Sequence, residues 1–254
     1  MCKKILSICL SIVLVFGIVT AFSNCRDENA TEQLEKTTEK QEETFGNQNT
    51  VEADSIEALE LAIVKYVEDE VAGLNSELTE LTNSISTYDK YVKNIDKVEA
   101  FYEKVSNTSV SISIRLREYS VEYAEMILDS DISIDDMYDA FDDLYDCIYE
   151  DAADILYDGI YDGILKDLYD AFYDGVVSDG MDSTSYSEWY DTSSDAYELW
   201  YDTSSDCYEH WYDMHSDVYG FWSDMKGELY SQDIDGAKEE ISDFKEDIKK
   251  LKQA

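Results

Sequence analysis

The chain has 254 residues, contains no proline and carries a formal net charge of −40, from 59 acidic and 19 basic side chains. This charge repels nucleic acids and anionic headgroups and attracts cations and basic polypeptides, so it excludes nucleic-acid binding. Because proline interrupts helices and makes up about 5% of an average sequence, its absence favours long unbroken helices. The composition therefore predicts an all-α protein.

The N-terminus has the pattern of an export signal. Lys3 and Lys4 precede an apolar run at residues 5–22, and a polar, acidic segment follows. A short positive segment before such a run is typical of signal sequences, and the lysines orient the rest of the chain outward across a bacterial membrane. We expect residues 1–24 to be a signal peptide. The protein is then secreted, or held at the outer face of the cytoplasmic membrane or in the cell envelope.

The cysteine at the end of this segment, Cys25, resembles the lipidated cysteine of bacterial lipoproteins, which becomes the acylated N-terminus once the signal is removed. The resemblance implies a lipid anchor on Cys25. Two alternatives stay open. One is secretion after cleavage behind Ser23, where Ala21 and Ser23 fit the preference for small residues. The other is an uncleaved signal anchor, for which the apolar run is barely long enough.

The remaining chain divides into a tether and a body. Residues 25–53 are polar and bear few sizeable apolar side chains, so they predict a disordered tether. Residues 54–254 predict an all-helical body, in which long helices form an elongated, coiled-coil-like bundle. The expected helices cover about 54–106, 114–128, 134–177, 183–230 and 236–252.

The first expected helix carries a coiled-coil seam. Apolar residues alternate at spacings of four and three from Val67 to Ile95, as the heptads of a coiled coil do. We expect this helix to pack against its own chain, with self-association as the alternative. Residues 107–113 are rich in serine and β-branched side chains, which disfavour a helix and predict a corner there.

Residues 129–136 form a predicted loop. Its alternating aspartates, which begin at Asp129 and Asp131, are similar to those of a calcium loop, but Ile134 and Ala140 stand where that loop needs glycine and glutamate. The preferred interpretation is a helix cap at Ser133. Calcium stays a candidate partner through the general acidity of the chain.

From Leu144 the sequence repeats in fours, with an apolar residue in each unit. An α-helix has 3.6 residues per turn, so such a stripe would circle the helix. We expect either several partners around this helix or kinks at Gly159, Gly163 and Gly175. Gly180 is expected to stop the helix.

The segment from Tyr186 to Tyr230 repeats every eleven residues, which is three helical turns. It predicts one helix with an aromatic stripe, backed by an acidic stripe. The aromatic stripe consists of Trp189, Trp200, Trp211, Trp222, Tyr186, Tyr197, Tyr208 and Tyr219. Core packing is the favoured interpretation, since aromatic rings are the largest apolar side chains available. A glycan-facing ladder and a protein-docking face are the alternatives.

Between Asp129 and Asp235 there are 31 acidic residues and only two lysines, so carboxylates single out no catalytic site. Asp206, His210 and Asp213 share a helix face and are the weak candidates for a metal site. Cys147 and Cys207 occupy small packed positions of the repeats and are expected to be free buried thiols rather than a disulfide. The sequence predicts no cofactor.

These patterns predict an exported structural or interaction protein of the envelope, without enzymatic activity. It would be attached to the membrane by a lipid or signal anchor and would act through a protein partner or self-association. The alternative is a binding module for divalent cations, cationic ligands or glycans.

Overall fold

The computed structural model describes residues 55–253, except the side chain at position 183, and shows an all-α bundle of long helices. No strand occurs within that range. The predicted signal peptide, the tether and Cys25 lie outside the described residues. None of the helices between residues 55 and 253 combines the length and apolar character needed to cross a bilayer.

Residues 55–253 form six helices. They are α1 (Ile56–Ser84), α2 (Tyr88–Lys93), α3 (Ile95–Asp129), α4 (residues 134–183), α5 (Tyr186–Tyr230) and α6 (Ile234–Leu251). Helix α5 has 45 residues and extends over about 68 Å at 1.5 Å per residue.

The four long helices α1, α3, α4 and α5 alternate in direction. Helix α1 packs against α3 and α4, and α5 packs against the same two helices from the other side. Helix α6 covers one end of α3 and α5, where Phe221 and Phe244 stack with their ring centroids 4.5 Å apart. The seam of α1 is therefore buried against its own chain, at Val67 and Val71 among other positions.

The first helix ends earlier than the heptad pattern predicts. It stops at Ser84, and the hydroxyl of Thr87 accepts the Lys90 amide at the start of the six-residue α2. This turn shifts the seam, because Tyr91 is buried where the heptads point to Val92, which is 47% exposed. A local cap thus ends the regular repeat.

The predicted corner at residues 107–113 is wrong, because the segment lies in the middle of α3. Within the helix, the Ser111 hydroxyl donates to the Asn107 carbonyl at 2.8 Å. Ser109 and Ser113 are buried, so these small side chains let α3 and α5 approach closely. Tertiary packing has overridden a weak local preference.

Helix α4 resolves the conflict between a four-residue repeat and the α-helix by changing its winding. Three π-helical segments, Asp146–Ala152, Tyr157–Leu165 and Phe172–Val177, alternate with α-helical turns. A π-helix bonds each amide to the fifth residue back rather than the fourth, so its turns are wider. The apolar stripe consequently stays on one side, and all nine members are buried: Leu144, Ile148, Ala152, Leu156, Ile160, Ile164, Leu168, Phe172 and Val176.

Gly159, Gly163 and Gly175, where kinks are expected, lie inside π-helical segments. The expected glycine stop is wrong. Helix α4 continues through Gly180 to position 183. A Cβ on Gly180 would lie 2.5 Å from Tyr88 Cδ2, and one on Gly159 would lie 2.6 Å from Val71 Cγ1. These two glycines serve close approach of neighbouring helices.

Side chains cap the starts of α4, α5 and α6. Ser133 accepts the Asp136 amide at 3.2 Å, which confirms the predicted cap. Helix α5 begins after Ser185, not at 183, because the Ser185 hydroxyl accepts the Glu188 amide. Asp233 caps α6 by accepting the Gly236 amide at 2.8 Å.

Candidate functional site

The most regular surface of the body lies where α4 meets α5. Helix α4 carries a twelve-residue repeat, beginning at Tyr145, Tyr157 and Tyr169, in which a second tyrosine follows four residues after the first. The four-residue period alone does not identify these tyrosines as partners of the aromatic stripe. The twelve-residue spacing of the YDxxY units was the signal that identifies them.

The α4 tyrosines interleave with the aromatic stripe of α5 and form an aromatic ladder of three rungs. The first rung is Tyr145, Tyr149, Tyr219 and Trp222; the second is Tyr157, Tyr161, Tyr208 and Trp211; the third is Tyr169, Tyr173, Tyr197 and Trp200. In each rung the leading α4 tyrosine lies against the tryptophan, with ring centroids 4.7, 4.9 and 4.4 Å apart.

The two unequal repeats match because each comprises three helical turns. Eleven residues of α5 rise about 16.5 Å in an α-helix, and twelve residues of the wider α4 cover the same distance. The winding of α4 is thus what keeps successive rungs in register.

Hydrogen bonds from two indole groups of α5 to the backbone of α4 hold the two helices in this register. Trp189 donates its Nε1–H to the Val177 carbonyl at 2.8 Å, and Trp211 donates to Ala153 at 3.0 Å. The acceptors are 24 residues apart and the donors 22, which is two repeats on each helix. The indole nitrogens of Trp200 and Trp222 are buried without a partner.

The structure corrects the interpretation of the stripe as core. All four tryptophans are only half-buried, and Tyr186, Tyr197, Tyr208 and Tyr219 are exposed. The buried face of α5 is a different one and contains Cys207, Met214, Val218 and Met225. The stripe lies beside the core, with one face of each indole packed and the tyrosine edges in solvent.

Each rung is bordered by carboxylates. Asp162 follows Tyr161, and Glu209 and Asp213 flank the second rung on α5; all three are exposed. Burial, followed by the charge of Asp162, raises the pKa of Tyr157 to about 12. The phenol hydroxyls therefore stay protonated at neutral pH, and the surface combines neutral rings with negative charges.

Beside the first rung, Lys226 of the chain itself lies against aromatic rings and a carboxylate. Its Nζ lies 3.7 Å from the centroid of the Tyr138 ring and 5.3 Å from that of Trp222. It also pairs with Asp142 at 2.5 Å, and its side chain is only 11% exposed. A primary ammonium is thus held between two aromatic faces and a carboxylate.

His215 joins the first two rungs. It stacks on Tyr149 with a centroid distance of 3.5 Å and on Trp211 at 4.8 Å. Burial lowers its pKa, and a hydrogen bond to the backbone of Tyr149 partly offsets this effect. The Ala153 amide bonds to the Ile148 and Glu150 carbonyls at the end of the first π-segment, so the histidine bonds to the backbone within this segment.

The weak metal candidates lie close together but show no metal-site geometry. Burial lowers the pKa of His210, and the charges of Asp206, Glu209 and Asp213 act against this. Burial raises the pKa of Asp206. Within residues 55–253 no group of three or more His, Cys, Asp or Glu side chains is arranged to hold a metal ion.

The two cysteines of the body, Cys147 and Cys207, are free and buried, as predicted. Burial raises the pKa of each thiol to about 12. Such thiols remain protonated and unreactive at neutral pH, so they belong to the packing of the bundle.

Comparisons of the chain with protein-family models, with curated proteins and with solved structures give no match.

Proposed function

We propose that this protein is a non-enzymatic interaction protein of the bacterial envelope, and that the aromatic ladder is its docking surface. The observation that carries the proposal is the exposure of a repeated aromatic surface on a rigid support. Exposed aromatic patches on soluble domains mark interaction sites, and tyrosine is enriched where proteins bind one another.

The arrangement suits docking better than packing. The rungs recur along two antiparallel helices at about 16.5 Å, and each has buried tryptophan edges beneath exposed tyrosines. The support is rigid because the tryptophans are packed against α4 and two of them are hydrogen-bonded to its backbone. The carboxylates recur over the whole surface and provide no distinct reaction centre.

The envelope location rests on the N-terminal sequence, in which a signal-like segment ends at Cys25. A polar segment then separates this end from the helical body. Anchored in this way, the body would present the ladder to molecules outside the membrane.

A capture experiment tests the docking role. The purified full chain is immobilised as wild type, as the double variant Tyr208→Ser/Tyr212→Ser, and as Tyr230→Ser, which removes an exposed tyrosine beyond the rungs. We expect one envelope component to be retained by the wild type and Tyr230→Ser and lost with the double variant. Equal retention by all three proteins contradicts the proposal.

A further inference from the structure

The acidic surface around the ladder lacks free positive charges of its own. Residues 129–235 contain 31 acidic side chains and two basic ones, Lys166 and Lys226. Lys166 pairs with Asp170, and Lys226 pairs with Asp142. The charges needed to balance this region must therefore come from outside it, and a positively charged partner complements it.

Lys226 shows how one such charge is bound. Its ammonium contacts the faces of Tyr138 and Trp222 together with the Asp142 carboxylate. Aromatic faces attract cations through the ring quadrupole, and the carboxylate adds a direct charge pair. The second and third rungs also place tyrosine rings beside exposed carboxylates. Lys166, next to the third rung, is exposed and pairs with Asp170.

The spacing of the rungs defines the shape of the partner. Successive rungs lie about 16.5 Å apart, and an extended polypeptide rises about 3.3 Å per residue. One rung therefore corresponds to about five residues of extended chain. The winding of α4 keeps the tyrosines of all three rungs against α5.

We propose that the aromatic ladder binds an extended, lysine- or arginine-rich segment of another polypeptide, with basic residues about five positions apart. This inference rests on the proposed function, since it names the partner of the same surface. Each basic side chain lies against aromatic rings of one rung and pairs with a bordering carboxylate. Lys226 makes the same two kinds of contact, with the rings of Tyr138 and Trp222 and with the Asp142 carboxylate. Several weak contacts along one peptide reinforce each other.

Two synthetic peptides of identical composition test the spacing. Both consist of glycine, serine and lysine; one has a lysine at every fifth position and the other has all its lysines together. Binding to the full chain is followed at an ionic strength of about 0.15 M, where long-range attraction is screened. All four tryptophans of the chain lie in the repeats of α5, so intrinsic fluorescence reports on the ladder directly.

We expect the spaced peptide to bind about ten-fold more tightly or better than the clustered one. Tyr208→Ser/Tyr212→Ser should remove this preference, and Tyr230→Ser should keep it. A second variant, Glu209→Gln/Asp213→Asn, covers the case in which the tyrosine double variant is misfolded, because it removes charges at exposed positions without changing a ring. It should weaken the binding of the spaced peptide in the same way. Circular dichroism confirms that each variant is folded.

Equal binding of the two peptides, unchanged in the variants, would mean that net charge alone attracts them, and it overturns the inference. Failure of both peptides, while the ladder still retains an envelope component in the capture experiment, also overturns it and leaves the proposed function standing. Ladder-dependent binding of an uncharged linear glycan, without binding of either peptide, likewise overturns the inference and leaves the proposed function standing. Loss of all ladder-dependent binding contradicts both proposals.

Discussion

The indole N–H of Trp211 donates a hydrogen bond of 3.0 Å to the backbone carbonyl of Ala153. Ala153 directly follows the first π-helical segment, so this contact joins the second rung to the part of α4 where the winding changes. The equivalent nitrogen of Trp200 is buried without a partner. The two tryptophans occupy the same position of the repeat and differ in this bond.

Replacing each of these tryptophans by phenylalanine separates the bond from the ring. Trp211→Phe loses a hydrogen bond and should cost about 1–2 kcal/mol more in unfolding free energy than Trp200→Phe, which removes an unsatisfied donor. Chemical denaturation of both variants measures the difference. Equal losses would show that the indole bond does not stabilise the register.

Substitution of glycine by alanine should have opposite effects on stability at Gly159 and at Gly220. Gly159→Ala gains up to about 1 kcal/mol in helix propensity, but its Cβ would lie 2.6 Å from Val71 Cγ1, and overpacking of this kind costs about 1–3 kcal/mol. We expect a net loss of stability. A Cβ at Gly220 meets nothing within 4 Å, so Gly220→Ala should stabilise the protein by about 0.5–1 kcal/mol. Thermal melts of the two variants check both signs.

The crowding of acids gives a pH dependence with a definite sign. Burial, followed by the charges of Asp158 and Asp151, raises the pKa of Asp154 above its unfolded value of about 3.9. Its ionisation therefore destabilises the fold at neutral pH, and this penalty is relieved as the pH falls through the raised folded value. Asp154→Asn should be more stable than the wild type at neutral pH, and the difference should vanish on acidification.

Glu188 provides a control for Asp154, because its pKa is shifted in the opposite direction. Hydrogen bonds from Thr184 and Ser185 lower its pKa, so its ionised form stabilises the start of α5 at neutral pH, and that contribution is lost as the pH falls through the lowered folded value. Glu188→Gln should be less stable than the wild type at neutral pH and equal to it in acid.

Thermal melts at a series of pH values measure how far the stability of Asp154→Asn and of Glu188→Gln differs from that of the wild type. His210 and His215, whose pKa values are lowered by burial, destabilise the fold on acidification in every variant alike. Shifts of the same sign for Asp154→Asn and Glu188→Gln would contradict the electrostatic account.

The anchor predicted at Cys25 is tested by metabolic labelling with a clickable palmitate. The wild type should be labelled and Cys25→Ser should not. A shortened chain without label would point to cleavage after Ser23, and an unlabelled chain of full mass to an uncleaved signal anchor. Equal labelling of both proteins would rule out Cys25 as the acylated residue.

Several features of the fold could be predicted from the sequence because they depend on neighbours along the chain. The helical class follows from the absence of proline, and the Ser133 cap from a hydroxyl before an acidic first turn. The positions where helices end are harder to predict from the sequence, since a turn such as that at Thr87 competes with only about a kcal/mol of helix propensity per residue. Serines at 107–113 were misread because their small size matters only once α5 is packed against them.

The sequence by itself determined two repeats, one of four residues in α4 and one of eleven in α5, and with them the acidic and aromatic character of the surface. Only the tertiary structure decided how the first repeat is wound. A stripe of period four can circle an α-helix, follow kinks or be straightened by π-turns, and the choice depends on the neighbours. Because α5 and α1 are α-helices and advance about eleven residues in three turns, α4 must fit twelve into the same length. This fit places the tyrosines in rungs and leaves their edges in solvent.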